Sequence, residues 1–438
     1  MKSPIEIMAP VGCWESLAAA INAGAGSVYF GIEKLNMRSR SSLNFTTSDL
    51  HEIVRRCKAA GVKTYLTLNT VIYPEDMSLM REIVDNAKQA GVDAIIASDI
   101  AAMQYAVQQD VEVHLSTQLN ISNTEALRFY AQFADVVVLA RELNLEQVAA
   151  IHNDIIEQDI RGRHGERIRI EMFCHGALCM AVSGKCYLSL DNYNSSANRG
   201  ACVQVCRRGY TVTDKETGNE LDIENQYIMS PKDLKTIHFL NKMLDAGVSV
   251  LKIEGRARGP EYVSTVVQCY KEAIESYENG EFGGSATEQA ECSIEEKISD
   301  WDNRLARVFN RGWWNGYYLG QRLGEWTHVY GSQATRRKVY AGKVTNFFQK
   351  VGVAELHVEA AVVRLGDELL FTGDTTGAVE HKLSEIRVFP ALEDGRPDDK
   401  PLADAQYADK GMYLSIKTDT TLRRGDKVYI LQHTDESR

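Results

Sequence analysis

Apolar residues in this chain gather in short runs rich in β-branched side chains. Eight such runs can be counted: Ile5–Ala9, Ser27–Ile32, Lys63–Asn69, Ala94–Asp99, Glu112–Gln118, Val136–Arg141, Ile168–Phe173 and Ser249–Glu254. Runs of this length and composition predict buried strands. Between them lie stretches with helical spacing, such as Trp14–Ala23, Ser48–Ala60, Met77–Ala90, Thr124–Phe133 and Leu145–Ile155. One phrase repeats at the junctions: Ala60-Gly61-Val62, Ala90-Gly91-Val92 and Ala246-Gly247-Val248. A glycine just past a helix supplies a left-handed turn, and the valine opens the next strand. Helix and strand alternate, so the sheet is expected to be parallel. Eight βα units predict an α/β fold, a TIM-like (β/α)8 barrel; a doubly wound open sheet is the alternative and does not need eight strands. Gly24-Ala25-Gly26 resembles a nucleotide-binding glycine loop, but it precedes a strand and lacks the third glycine, so it reads as a helix stop.

Further along, Ser230-Pro231-Lys232-Asp233 predicts a helix over 230–246, with Ser230 as N-cap and Pro231 at the first helical position. Glu261–Tyr277 predicts a long amphipathic helix. Residues 279–300 are acidic and glycine-containing and read as surface or linker. The aromatic run from Phe309 to Tyr318 reads as a packed strap between domains, with base stacking as the rival. From Arg336 the pattern changes. Val339–Val344, Val351–Val358, Asp367–Phe371 and Lys427–Leu431 predict the short strands of a small antiparallel β-barrel. Arg336-Arg337-Lys338 at its entrance reads as a solvated charge run, with phosphate contact as the alternative. The expected division is a barrel over 1–280 with a cysteine loop over 174–230, a linker and strap over 281–333, and a β-barrel domain over 334–438.

Composition narrows the class. With 438 residues and 44% hydrophobic composition, two domains with real cores are expected. No run approaches the roughly 18 apolar residues of a membrane span. The N-terminal Met1-Lys2-Ser3-Pro4-Ile5-Glu6 has no apolar leader core, so a cytoplasmic protein is expected. In that setting the sequons at Asn44, Asn120 and Asn194 arise by chance. A net charge of −11 argues against broad nucleic-acid binding while leaving room for a local basic groove.

Chemistry concentrates in one stretch. Five of the nine cysteines, Cys174, Cys179, Cys186, Cys202 and Cys206, fall within residues 171–206. Between Cys186 and Cys202 the chain is rich in Asn, Ser and Gly and reads as loop. In a reducing compartment such thiols are ligands or redox groups. Six residues separate Cys179 from Cys186, fifteen separate Cys186 from Cys202, and three separate Cys202 from Cys206. Structural zinc favours tighter Cys-x-x-Cys pairs, whereas irregular all-thiolate sets suit iron–sulfur clusters; zinc and inert buried thiols are the alternatives. Cys269 and Cys292, outside the loop, read as structural or inert.

Barrel enzymes carry their chemistry at the C-terminal strand ends. Here those ends hold Arg38 and Arg40, Asn69, Asp99, Ser116, Gln118 and Asn120, Arg141 and Glu142, His175, and finally Lys252, Glu254 and Arg256. The loop from about Gly176 to Ser230 far exceeds an ordinary connection and would set the cysteines over the barrel mouth.

Glu171 to Ser189 resembles the signature of the peptidase U32 family, the collagenase-like proteases. His-Gly-Ala-Leu-Cys at 175–179, Ser-Gly-Lys-Cys at 183–186, Gly-Ala-Cys at 200–202 and Lys-Ile-Glu-Gly-Arg at 252–256 carry the resemblance. It covers residues 5–280 well and the remainder loosely. With the overall length, the chain is most similar to the branch of prephenate-dependent tRNA uridine hydroxylases, which form 5-hydroxyuridine at the wobble position. That resemblance implies a 4Fe–4S cluster on Cys179, Cys186 and Cys202, with Cys206 as fourth ligand and Cys174 as its rival. Cys174 lies in the strand-like run before the loop and reads as a core thiol. The resemblance also implies tRNA as partner, prephenate as co-substrate and no need for molecular oxygen. The C-terminal barrel resembles the accessory barrel of longer family members.

Prephenate carries two carboxylates, and arginine binds carboxylate bidentately, so Arg38, Arg40, Arg141 and Arg256 are candidates for holding it. Ion pairing at the mouth, Arg141 with Glu142 or Arg256 with Glu254, is the structural rival. His175 is a candidate proton donor, against a plain hydrogen-bonded spacer. Lys252, Glu254 and Arg256 join it as candidate catalytic groups. Arg199, Arg207 and Arg208 flank the last cysteines, where positive charge suits a reduced cluster or RNA phosphate. A peptidase is the second reading. The chain has no His-Glu-x-x-His and no Gly-x-Ser-x-Gly, and His175 and Cys179 are neighbours in one segment, whereas papain-like pairs come from distant segments. A cluster-bearing adaptor is the third reading, and hydroxylation of ribosomal RNA or of a quinone precursor is the nearest enzymatic rival.

Overall fold

The computed structural model describes residues 5–40, 44–221, 227–282, 288–394 and 396–434. The leader reading rests partly on residues 1–4, and it and the Cys292 side chain lie outside what is described. Seven parallel strands follow one another around a cylinder: β1 (Glu6–Pro10), β2 (Ser27–Phe30), β3 (Lys63–Leu68), β4 (Ala94–Ala97), β5 (Glu112–Leu115), β6 (Val136–Val138) and β7 (Arg169–Gly176). An eighth, Val248–Ile253, pairs parallel with β7 on one side and with β1 on the other, and closes the barrel. The TIM-like expectation holds. The repeated Ala-Gly-Val phrase acts as its physics requires: the helix Met77–Ala90 ends at Gly91 with φ 76°, and buried Val92 leads into β4. Outside the strands, Leu17, Phe30, Leu66, Met80 and Leu251 pack under the helices; inside, Met8, Tyr29, Tyr65, Ile96, Val136 and Val250 fill the barrel.

Two stretches depart from the sequence expectation. No helix starts at Ser230. Asp233–Lys235 runs antiparallel to the end of β7, Leu234 opposite Gly176 and Lys235 opposite His175, and parallel to Trp313–Trp314. The helix begins only at Leu240. Tertiary partners override the local Ser-Pro-x-Asp signal: Asp233 is buried against Arg311 at 3.3 Å, and Ser230 Oγ accepts a hydrogen bond from Arg207 at 3.0 Å. Within the stretch read as linker, Glu288–Ala306 is a helix. Trp301, 2% exposed, stacks on Phe282, and Arg304 holds Glu272 of the helix Pro260–Glu278. The aromatic run that follows packs on the barrel, Trp314 buried and Tyr318 donating to the Phe173 carbonyl at 2.8 Å.

From Arg336 the chain is antiparallel, as its pattern predicts. Seven strands lie in the spatial order Gly377–Lys382, Glu368–Gly373, Lys427–His433, Arg336–Phe348, Val353–Val358, Tyr413–Lys417 and Arg387–Phe389, around a core that includes Phe371, Leu414 and Val428. Arg336 is buried and clamps Glu368 and Glu380, so the basic run is structural at that residue. This unit docks on the helix Trp14–Ala23. Asn22 donates to the Thr376 carbonyl at 3.2 Å, Arg56 to that of Asp374 at 2.8 Å, and Lys338 pairs with Glu261 at 2.8 Å. Among the described residues no helix is long and apolar enough to cross a membrane.

At Gly377, φ is +73°, and a Cβ would sit 2.7 Å from the Ala19 nitrogen. Gly377→Ala is therefore expected to cost about 1–3 kcal/mol in strain and lost docking. Calorimetry reads this as a lowered or split unfolding transition. An unchanged transition would mean that the two units do not bear on each other there.

Candidate functional site

Alternate residues of a barrel strand point inward, so strand ends converge on the mouth. The cavity they frame here has a volume of about 170 Å³. Its floor comes from Tyr29 on β2, Thr67 on β3 with Asn69 after it, Ile96 on β4, Ser116 after β5, Arg141 after β6 and Phe173 on β7. Lys252 on the closing strand, with Glu254 and Arg256 just beyond it, completes the floor. The roof is the segment after β7, which presents Cys179, Cys186, Cys202 and Cys206 to the same space.

The roof is pinned from several sides. Arg40 N–H donates to the Gly200 carbonyl at 3.1 Å, and Gly200 lies so close to Asn36 and Ser39 that no side chain fits. Arg199 pairs with Asp76 and donates to the Val71 carbonyl at 2.8 Å. Asn120 donates to the Ser183 carbonyl at 2.9 Å, and Arg207 to those of Leu178 and Pro231. Cys174 does not reach the cavity; it is fully buried, its thiol on the Lys252 carbonyl, and burial raises its pKa well above the ordinary value. At Cys206 burial also pushes the thiol up; Arg207 draws it down, and Cys179, Cys202 and Cys186 push it up again. None of the eight described cysteines is in a disulfide. Among the described residues, no three His, Cys, Asp or Glu are gathered round one point closely enough to hold a single metal ion.

The floor is a layer of buried charge. Lys252 Nζ donates to Glu171 Oε1 at 2.6 Å, with both side chains buried. Glu171 Oε2 has no partner among the described residues. Arg38 pairs with Glu254 Oε1 at 2.9 Å, while Tyr29 OH donates to Oε2 at 3.1 Å. Burial alone would raise the Glu254 carboxyl, but Arg38 and Arg256 outweigh it and hold the group below its ordinary value. Arg256, 6% exposed, donates to Asn36 at 3.2 Å and Thr67 at 3.1 Å. No carboxylate lies within ion-pair distance of it among the described residues. Burial lowers its basicity to about 10, which leaves it a cation at neutral pH. Arg141 donates to Ser183 Oγ at 2.6 Å and faces the Phe173 ring at 5.9 Å.

Two expected site residues are elsewhere. Arg40 is exposed and does not line the cavity. His175 is 1% exposed and wedged between Tyr262, Tyr270 and Trp313. Burial, then Lys235, lowers its pKa to about 3, so it is a neutral packing residue. The cause is a register irregularity: Lys252 pairs with Phe173 but Ile253 with His175, which breaks the parity that would aim His175 inward. Asp99 caps the helix Ile100–Gln108 and accepts the Ile72 N–H. Glu171 and Tyr29 were missed by the sequence reading. The signal for Glu171 is a lone carboxylate in an apolar strand, in phase with Phe173.

The family model described as Peptidase family U32 matches residues 12–328. A Porphyromonas gingivalis protein named collagenase is 61% identical over 98% of this chain and 99% of its own length. The tRNA hydroxylation protein P1 of Bacillus subtilis is 31% identical over 87% of this chain and 86% of its own length. The 23S rRNA 5-hydroxycytidine C2501 synthase of Escherichia coli is 32% identical over 73% of this chain and 46% of its own length.

Removing one member of a buried ion pair leaves the other charge uncompensated. Lys252→Met is expected to destabilise the fold by about 3–5 kcal/mol, and Glu171→Gln added to it to recover most of the loss. Urea denaturation of both single variants and the double tests this; additive losses would show that the two side chains act independently. Glu254 has a lowered folded pKa. Its stabilisation is thus full above its unfolded pKa, about 4.3, and lost as pH falls through the folded value. The stability gap between wild type and Glu254→Gln should shrink as pH falls from about 6 to about 3. A gap that stays constant with pH would show that Glu254 is not held as a paired carboxylate.

Proposed function

This chain belongs to peptidase family U32, and on that premise we propose that it is an iron–sulfur-dependent RNA hydroxylase, forming 5-hydroxyuridine at the tRNA wobble position with prephenate as co-substrate. The observation that carries the reading is one cavity with four cysteines in its roof and a guanidinium-bearing floor. The Bacillus subtilis and Escherichia coli relatives are named for RNA hydroxylation, which supports the reading.

The residues fit the implied cofactor. Cys179, Cys186, Cys202 and Cys206 would hold the 4Fe–4S cluster, and Arg38 and Arg207 place positive charge beside these thiols, which suits thiolate ligands. Thiols spread around a cavity wall suit a cluster, whose bulk separates its ligands, better than one zinc ion with sulfurs at about 2.3 Å. When bound, such a cluster supplies one-electron chemistry.

The chain's own groups do the binding and proton handling. Arg256, cationic and without an ion-pair partner among the described residues, takes one carboxylate of prephenate, and its bonds to Asn36 and Thr67 fix the guanidinium plane. Arg38, tethered to Glu254, takes the second carboxylate. Arg141, held by Ser183, bounds the side toward the aromatic strap. Glu254 lines the cavity as a carboxylate that can take up a proton released in the reaction, and Tyr29 donates to its Oε2. Lys252 is tied to Glu171 beneath this group, a buried ion pair that braces the floor.

The name collagenase on the Porphyromonas gingivalis relative favours a second reading, a peptidase. The residues support it less. Among the described residues no histidine lines the cavity with Cys179, and His175 is sealed in packing.

Mass spectrometry of tRNA nucleosides from a deletion strain, complemented with wild type, Cys186→Ala or Arg256→Ala, tests the proposal. We expect 5-hydroxyuridine to vanish on deletion and return only with the wild type. Purified Arg256→Ala should keep the visible absorbance of the cluster while Cys186→Ala loses it. Unchanged tRNA throughout would end this reading. Gelatin hydrolysis by metal-free protein, abolished by Cys179→Ala, would establish the peptidase in its place.

A further inference from the structure

The cysteine loop has a second surface besides the cavity roof. Beside the cavity, and sharing Met180, Ala181 and Cys186 with it, an open and mostly apolar groove of about 560 Å³ runs past Lys185, Tyr187 and Asp191. Tyr187 is 68% exposed and Tyr193, further along the loop, 48%. The groove volume is that of a ligand pocket, and an exposed ring on its wall offers a flat apolar face to a planar group. The local charge is opposite to that of the whole protein. Of the cations in residues 177–210, Arg199 is paired with Asp76 and Arg207 is turned inward onto Leu178 and Pro231, which leaves Lys185 in the groove and Arg208 beside Tyr193 against Asp191, in a chain whose net charge is −11. Arg208 lies over the Tyr193 ring at 5.0 Å, which places a guanidinium at the edge of an aromatic face.

We propose that this groove seats the unpaired nucleotides flanking the target base, with Tyr187 as a stacking platform and Lys185 and Arg208 meeting backbone phosphates. The proposal rests on the RNA-hydroxylase reading and adds to it the surface that grips the strand. Every base has a π-face, so an aromatic platform beside cations binds single strands with little regard to sequence. A protein partner fits less well, because the core of a protein–protein interface is depleted in lysine, and here Lys185 lines the groove itself. Asp191 opposes phosphate at one edge, and the cations outnumber it.

The test uses the full-length, cluster-loaded protein and a labelled oligouridylate of about ten nucleotides, within the span of single-strand sites. Binding is read by fluorescence anisotropy. Tyr187→Ala should weaken binding about tenfold, the size of one lost base–aromatic stack, and Tyr187→Phe should restore it. Lys185→Ala should reduce the slope of log Kd against log salt by about 0.7, one phosphate on a single strand. Phe129→Ala removes a ring that is 54% exposed on the far helix Thr124–Ala131 and should change nothing. Wild-type protein that fails to bind the oligonucleotide, or Tyr187→Ala that binds like wild type, overturns the proposal. So does a Tyr187→Ala protein that keeps its RNA affinity but loses a bound polypeptide. Nucleoside mass spectrometry on the same proteins separates the two readings. Tyr187-dependent binding without hydroxylated product retires the reaction and keeps the groove; hydroxylation indifferent to Tyr187 retires the groove and keeps the reaction.

Discussion

The parallel seam between β7 and Val248–Ile253 is the ladder on which the rest of the molecule depends. It closes the barrel, and it also carries both halves of the candidate site. One strand runs on through Gly176 into the cysteine roof, and the other runs on to Glu254 and Arg256 in the floor. The two exits are tied as they leave the sheet, where Glu254 N–H donates to the His175 carbonyl at 2.8 Å. Gly176 makes that approach possible. Its φ is +103°, and a Cβ there would lie 2.3 Å from the Glu254 carbonyl oxygen. The spacing of roof to floor is thus set by bare backbone against backbone.

Around that seam the protein handles each buried cation differently. Lys252 is neutralised by Glu171, and Arg38 is shared with Glu254. Arg256 donates to neutral acceptors, with the Glu254 carboxylate near enough to favour its charge. Burying a guanidinium without a contacting carboxylate is costly. In an acidic protein with a net charge of −11, the cavity thus gathers Arg38, Arg141, Lys252 and Arg256 around a single lining carboxylate among the described residues, Glu254.

Much of this was legible in the sequence. The eight strands and their parallel order follow from apolar runs and the Ala-Gly-Val stops, because local preference and tertiary role agree there. The cavity-facing cysteines and Arg38, Arg141, Lys252, Glu254 and Arg256 follow from the rule that strand ends carry chemistry. What escaped depends on distant partners. His175 turned away because of a register irregularity, and no sequence period announces one. Asp233 became a strand residue because Arg311 and the end of β7 were waiting for it. Glu288–Ala306 looked like linker because its anchors, Trp301 and Arg304, dock on a helix outside the segment.

Closure of the barrel has a consequence in time. Glu6 of β1 pairs with Val250, so the first strand is synthesised long before its last neighbour exists. At roughly 5–20 residues per second, the ribosome takes on the order of 12–50 s to bridge that gap. Throughout it β1 presents an open sheet edge, the kind of template on which nascent chains aggregate. The strand is built to be a poor template. It spans only Glu6–Pro10, its proline cannot donate to a neighbour, and Glu6 turns its carboxylate inward to Tyr65 and Arg169. Glu6, which guards the unfinished sheet, thus lies buried at the base of the barrel once it closes.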